Sequence, residues 1–141
     1  MRKLIRLFCT ALLALQCSAA AAEVIVVVSA HSPLASLRAE QVADIFLGRS
    51  GRFPDGSRAI PLDQALGSPL RHEFYLRAAA MSPPLVKAHW TKMIFTGRGR
   101  PPKEVQNSAA VRKLVAENPA YVGYIDRAAL DASVKPVLLL N

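Results

Sequence analysis

Cysteine is nearly missing from this chain: the 141 residues hold two, Cys9 and Cys17, both near the N-terminus. Beyond them no disulfide and no cysteine metal site can form, so stability must come from a packed core. Histidine is as thin, with His31, His72 and His89 scattered without metal-ligand spacing. The run His72-Glu73-Phe74-Tyr75-Leu76 opens like a zinc-protease helix, but Leu76 stands where the second histidine belongs. There is no G-x-S-x-G elbow, and Ser68, which with His72 and Asp63 would complete a nucleophilic triad, reads as a helix cap. The chain is therefore expected to be no enzyme and to carry no metal or cofactor. Past the N-terminal segment, no apolar run approaches the ~20 residues of a membrane-spanning helix. Repeats, heptads and low-complexity tracts are missing as well.

What is present begins with a processing signal. Arg2, Lys3 and Arg6 precede an apolar stretch from Leu7 to Leu15, and Ala20-Ala21-Ala22 supplies small residues for cleavage before Glu23. Residues 1–22 are expected to be a cleaved signal peptide and residues 23–141 a single periplasmic domain. The alternative is a lipoprotein acylated at Cys17, although Gln16 stands where a lipobox wants a small residue. Removing 22 of the 141 residues leaves 119, enough for one compact domain. Of 18 basic residues 15 remain against 10 acidic ones, a net charge of +5 that favours anionic partners without choosing among them.

Along the rest of the chain strands alternate with helices. Val24 to Val28 is an unbroken β-branched run, expected to be a strand covered on both faces. A helix follows over about Arg38–Phe46, stopped by Gly48. Pro54-Asp55-Gly56 is a turn, and Ala59 to Leu62 a short strand whose proline suggests an edge or a strand end. Ser68 as cap and Pro69 as first residue open a helix with Leu70, Phe74 and Ala78 on one face. The next helix runs from a Ser82 cap to about Phe95, with Val86, Trp90, Met93 and Ile94 as its apolar stripe. Thr96 to Lys103 reads as a basic loop, Ser108 to Glu117 as a helix, Tyr121 to Ile125 as a strand, Asp126 as the cap of a short turn, and Val134 to Leu140 as the last strand. The class is α/β with a small mixed or mostly parallel sheet flanked by helices.

Three ordered segments resemble the phosphate-binding receptors of ABC transporters, a branch of the type II periplasmic binding proteins. They are Gln41 to Gly48, ending in Ile45-Phe46-Leu47-Gly48; Ile60-Pro61-Leu62-Asp63 followed by Gly67-Ser68; and Asn118 to Ile125 with its Gly123-Tyr124 pair. The resemblance implies a single lobe of the periplasmic-binding-protein type. It also implies a solute-binding role for phosphate or a similar oxyanion in ABC-type transport or sensing. Its implied partners are that anion and a transporter membrane component or another periplasmic protein. The family reads Ser-Gly-Thr after the glycine, whereas here Ser68 is followed by Pro69 and Leu70, and the chain is about half the usual two-lobed length. The alternative is an interaction or adaptor module that keeps the fold without a ligand.

The chemistry of the candidate residues fits an anion. Gly67 lets a ligand approach the backbone, Ser68 adds a hydroxyl, and the first helical turn offers unpaired amides. Arg71, one turn on, is expected to fold back as a phosphate partner. Ser29 and Ser32 flank the loop after the first strand, where ligands of open α/β sheets gather; the other reading is a plain turn capped by Ser32. Asp63 either accepts a proton from monohydrogen phosphate or hydrogen-bonds its own loop. Arg98 to Lys103 reads as a solvated loop, the alternatives being an anion clamp or a contact with a membrane or partner. Nucleic acid is not expected, because Phe46, Phe74, Trp90 and Phe95 are all assigned to apolar faces.

Overall fold

The computed structural model describes residues 23–141; the expected signal peptide and both cysteines lie outside the described residues. The chain is α/β, built on a five-stranded mixed sheet flanked by helices. Strand β1 (Val24–Ser29) runs antiparallel to both its neighbours, β4 (Tyr121–Asp126) and β5 (Val134–Leu140). Strand β2 (Ile60–Gln64) lies parallel to β4 on one side and to the three-residue β3 (Lys103–Val105) on the other. The order across the sheet is β3-β2-β4-β1-β5.

The unbroken apolar run of β1 has a direct physical cause: all six of its residues are buried, three on each face. Val24, Val26 and Val28 face a core built from α1 (Ala39–Phe46), α2 (Pro69–Ala79) and α3 (Pro83–Phe95). Ile25 and Val27 face a second core, where α4 (Ser108–Glu117) contributes Val111 and Val115. Alternation disappears because neither face meets water. Gly123 of β4 makes the second face close-packed, since a Cβ there would lie 2.4 Å from Val111 Cγ1. Only glycine lets α4 approach the sheet at that point.

The helix ends follow their local chemistry. Gly48 stops α1 at φ 74°, and Gln41 Oε1 accepts from the Arg38 amide at its start. Asn107 caps α4 through Ala110 N, and Asp126 caps the 3-10 turn Arg127–Ala129 through Ala128 N.

Several expectations change. β2 extends two residues further than expected, through Asp63 and Gln64. It is an interior strand despite Pro61, because β3 pairs with it only from Leu62 onward. The segment expected to be all loop ends in β3, too short to carry a strand period. Ser82 makes no side-chain cap bond. Ile94 is not part of the inward stripe of α3, being 57% exposed, and Phe95, assigned above to a core, is 92% exposed. Only Val86 and Trp90 of that helix are buried, with Met93 partly covered, so the contact stripe is narrow and its last turn points outward.

Candidate functional site

The last two residues of β2, the turn after them and the first turn of α2 form one structural unit. The Ser68 amide donates to the Ala65 carbonyl, which closes the turn. Gly67 takes φ 83°, a left-handed conformation that glycine adopts without strain, and an added Cβ there would meet nothing within 4 Å. Ser68 Oγ accepts from the Arg71 amide at 3.4 Å and the Ser68 carbonyl accepts from His72, so α2 starts where Ser68 and Pro69 set it. The Gly67 and Leu70 amides have no acceptor among the described residues. With Gly67 exposed, this corner opens to solvent at the positive end of an eleven-residue helix.

Behind the corner lies a buried polar cluster. Asp63 is 1% exposed and accepts from Tyr75 Oη at 2.5 Å, from the Gln64 amide at 2.8 Å, and from Tyr124 Oη. Tyr124 reaches Asp63 from the adjacent strand and is held flat against Phe74, the rings 3.9 Å apart. Gln64 donates to the Tyr124 carbonyl at 2.9 Å and to Ser108 Oγ at 3.1 Å, tying α4 to the same cluster. Burial pushes the Asp63 carboxyl above the usual carboxylate range, although both tyrosine hydroxyls, Arg71 and the Gln64 amide pull it down. Burial, then the Asp63 charge, raises both tyrosines, so they remain hydroxyl donors.

Arg71 bridges the cluster and the surface. Its Nη1 donates to the Gln64 carbonyl at 2.9 Å and to Glu104 Oε1 at 3.3 Å, and stands 3.5 Å from Asp63 Oδ2. Its guanidinium carbon lies 5.6 Å from the centre of the Tyr75 ring. Of the fork, Nη1 alone makes hydrogen bonds to the described residues; Nε and Nη2 make none.

The six expected site residues fall into two groups. Gly67, Ser68, Arg71 and Asp63 are brought together, with Arg71 held inward by protein acceptors and Asp63 serving its own loop and the two tyrosines. Ser29 and Ser32 are not part of that group. β1 runs opposite to β4 while β2 runs with it, so the C-termini of β1 and β2 lie at opposite ends of the strands. There Ser29 Oγ donates to the Ala116 carbonyl and accepts from His31 N, and Ser32 Oγ accepts from Leu34 N, a local turn. Sequence reasoning missed Tyr75, Tyr124, Gln64 and Glu104. Tyr75 carried one usable signal, its position four residues after Arg71 on the same helix face. Among the described residues no group of three or more His, Cys, Asp or Glu side chains could hold a metal ion.

No family model matches the chain, and no curated protein matches it in sequence. Solved structures do resemble it in fold. One is a putative phosphate ABC transporter substrate-binding protein with bound phosphate from Clostridium perfringens, at TM-score 0.65 and 18% identity, covering 82% of this chain and 44% of that one. Another is an ABC-type phosphate transport receptor from Vibrio cholerae, at TM-score 0.65 and 19% identity, covering 82% and 45%. A third is a possible phosphate binding protein from Planctomyces limnophilus DSM 3776, at TM-score 0.58 and 12% identity, covering 82% and 40%. The architecture is that of a periplasmic-binding-protein-like lobe. This chain spans less than half the length of each of these structures.

Proposed function

We propose that the chain binds phosphate or a similar small oxyanion at the Gly67–Ser68 entrance of α2, as a periplasmic solute-binding lobe in ABC-type transport or sensing. The observation that carries the reading is the open corner, where the Gly67 and Leu70 amides have no protein acceptor and no side chain crowds Gly67. Unpaired amides at a helix start, with the helix dipole behind them, make an anion site of the ordinary kind. Arg71 lies one turn beyond the entrance, and its Nε and Nη2 are the donors it retains for a ligand. The fold likeness to phosphate-binding proteins supports the same ligand class.

A second reading has its own observation. Arg71 is held by the Gln64 carbonyl, Glu104 and Asp63, and Ser29 and Ser32 lie at the opposite end of the strands. Both facts suit a ligand-free module that meets another periplasmic protein.

Thermal-shift titration with phosphate and sulfate separates the two. A ligand at 100 times its Kd adds about 2.7 kcal/mol to stability, a rise of several degrees in melting temperature. The deciding variant is Ser68→Asp, because aspartate caps a helix as well as serine but places a negative charge at the entrance. Ligand-induced stabilisation in the wild type that disappears in Ser68→Asp supports binding at this corner. No shift up to millimolar oxyanion, or an equal shift in both proteins, excludes it.

A further inference from the structure

The most unusual surface of the molecule is the outward side of α3 with the loop that follows. Between Glu73 and Glu104 the chain carries six cationic residues and no acidic one. Five of them, Lys87, Lys92, Arg98, Arg100 and Lys103, are exposed and form no ion pair among the described residues. On that side Phe95 is 92% exposed, while Ile94, 57% exposed, and Leu85, 54%, stand on its two opposite flanks. Pro84, Ala88, Thr91 and Phe95 follow one another at helical spacing along the outward line of α3. Lys87 and Lys92 flank them, and together they line a shallow open groove.

This surface is fixed in place. Trp90 packs under Gly48, whose added Cβ would lie 3.0 Å from the ring, and Met93 and Trp90 pack under Gly99. The Gly97 amide donates to the Ile94 carbonyl and the Arg98 amide to that of Met93, so the basic loop folds back on the end of α3. The cations are thereby held beside Phe95.

We propose that the outward face of α3 and the Thr96–Lys103 loop dock the protein on an anionic phospholipid surface. Phe95 enters the headgroup boundary, with Leu85 and Ile94 at the two flanks, while the lysines and arginines pair with lipid phosphates. A helix resting on a membrane surface uses this combination: an exposed aromatic side chain between basic ones that reach back toward the headgroups. A second copy of the chain is a poor occupant, because it would oppose one set of unpaired cations to another.

Co-sedimentation with vesicles tests the proposal. The chain from Glu23 to Asn141 is used, which holds the five described strands and both described cores. It should bind vesicles containing phosphatidylglycerol, release at high salt, and ignore vesicles of phosphatidylcholine alone. Lys87→Gln and Lys92→Gln should each weaken binding roughly fivefold, and Phe95→Ser about tenfold. Leu139→Ser, at an exposed apolar site on β5, should leave binding unchanged, and all four variants should melt like the wild type. Absence of vesicle binding, equal binding to neutral vesicles, or insensitivity to the Lys87, Lys92 and Phe95 changes overturns the proposal. Capture of an acidic protein by a chain that does not bind vesicles overturns it in favour of a protein partner.

Discussion

Arg71 stands 3.5 Å from the Asp63 carboxylate, while the same nitrogen donates to the Gln64 carbonyl at 2.9 Å. Both side chains are close to fully buried, so this is an ion pair whose worth depends on its hydrogen bonds more than on its charge. The pair ties the end of β2 to the first turn of α2 and thereby sets the shape of the Gly67–Ser68 corner.

Removing the cation alone should be costly. Arg71→Met leaves a buried carboxylate without its counter-charge and should lose about 3 kcal/mol. Combined with Asp63→Asn, the loss should be smaller than the sum of the two single losses, because the charges depart together. Urea unfolding of the four proteins measures the difference; strict additivity would mean that the pair is not coupled.

The pH dependence of Asp63 has a definite sign. Burial raises its folded-state value above the ordinary 3.8, so the folded protein holds the proton more tightly than the unfolded chain. Its contribution is then fully present below about 3.8 and is lost as pH rises through the higher folded-state value. Asp63→Asn removes this titration. The stability difference between wild type and variant should therefore move toward the variant as pH is raised from about 4. Urea titrations across a pH series give the slope, and a movement in the opposite direction would show that the tyrosines and Arg71 outweigh burial.

The contact between Gly123 and Val111 predicts a specific rescue. Gly123→Ala should lose about 1–3 kcal/mol through overpacking against α4. In a Val111→Ala background the added methyl has room, and the same change should cost much less. Melting temperatures by circular dichroism are sufficient to see it.

Ser68 has a stability role separable from any ligand. Ser68→Ala removes the acceptor for the Arg71 amide and should lose about 1 kcal/mol, whereas Ser68→Asp should keep the wild-type value. No loss in Ser68→Ala would mean that the long 3.4 Å cap bond contributes little.

Much of this architecture is readable from local patterns, and what escapes reading is long-range. Ser68-Pro69 and the four-residue spacing of Leu70 and Phe74 define α2 almost to the residue, because capping and periodicity act within a few positions. The same locality brings Asp63, Ser68 and Arg71 together. Tyr124 joins them from 61 residues away through strand pairing, which no local pattern encodes. Ser29 shows the complementary failure: a buried apolar run announces a strand but not its direction relative to its neighbours. Phe95 shows a third, since aromatic character suggests burial, while the narrow footprint of α3 ends at Trp90 and Met93.

The ladder between β1 and β5 has one further result. Val24 faces Leu140 across a single rung, so the first and the last of the described strands are direct neighbours. A backbone nicked at the exposed Asp55–Gly56 tip would therefore remain tied across the nick by that ladder.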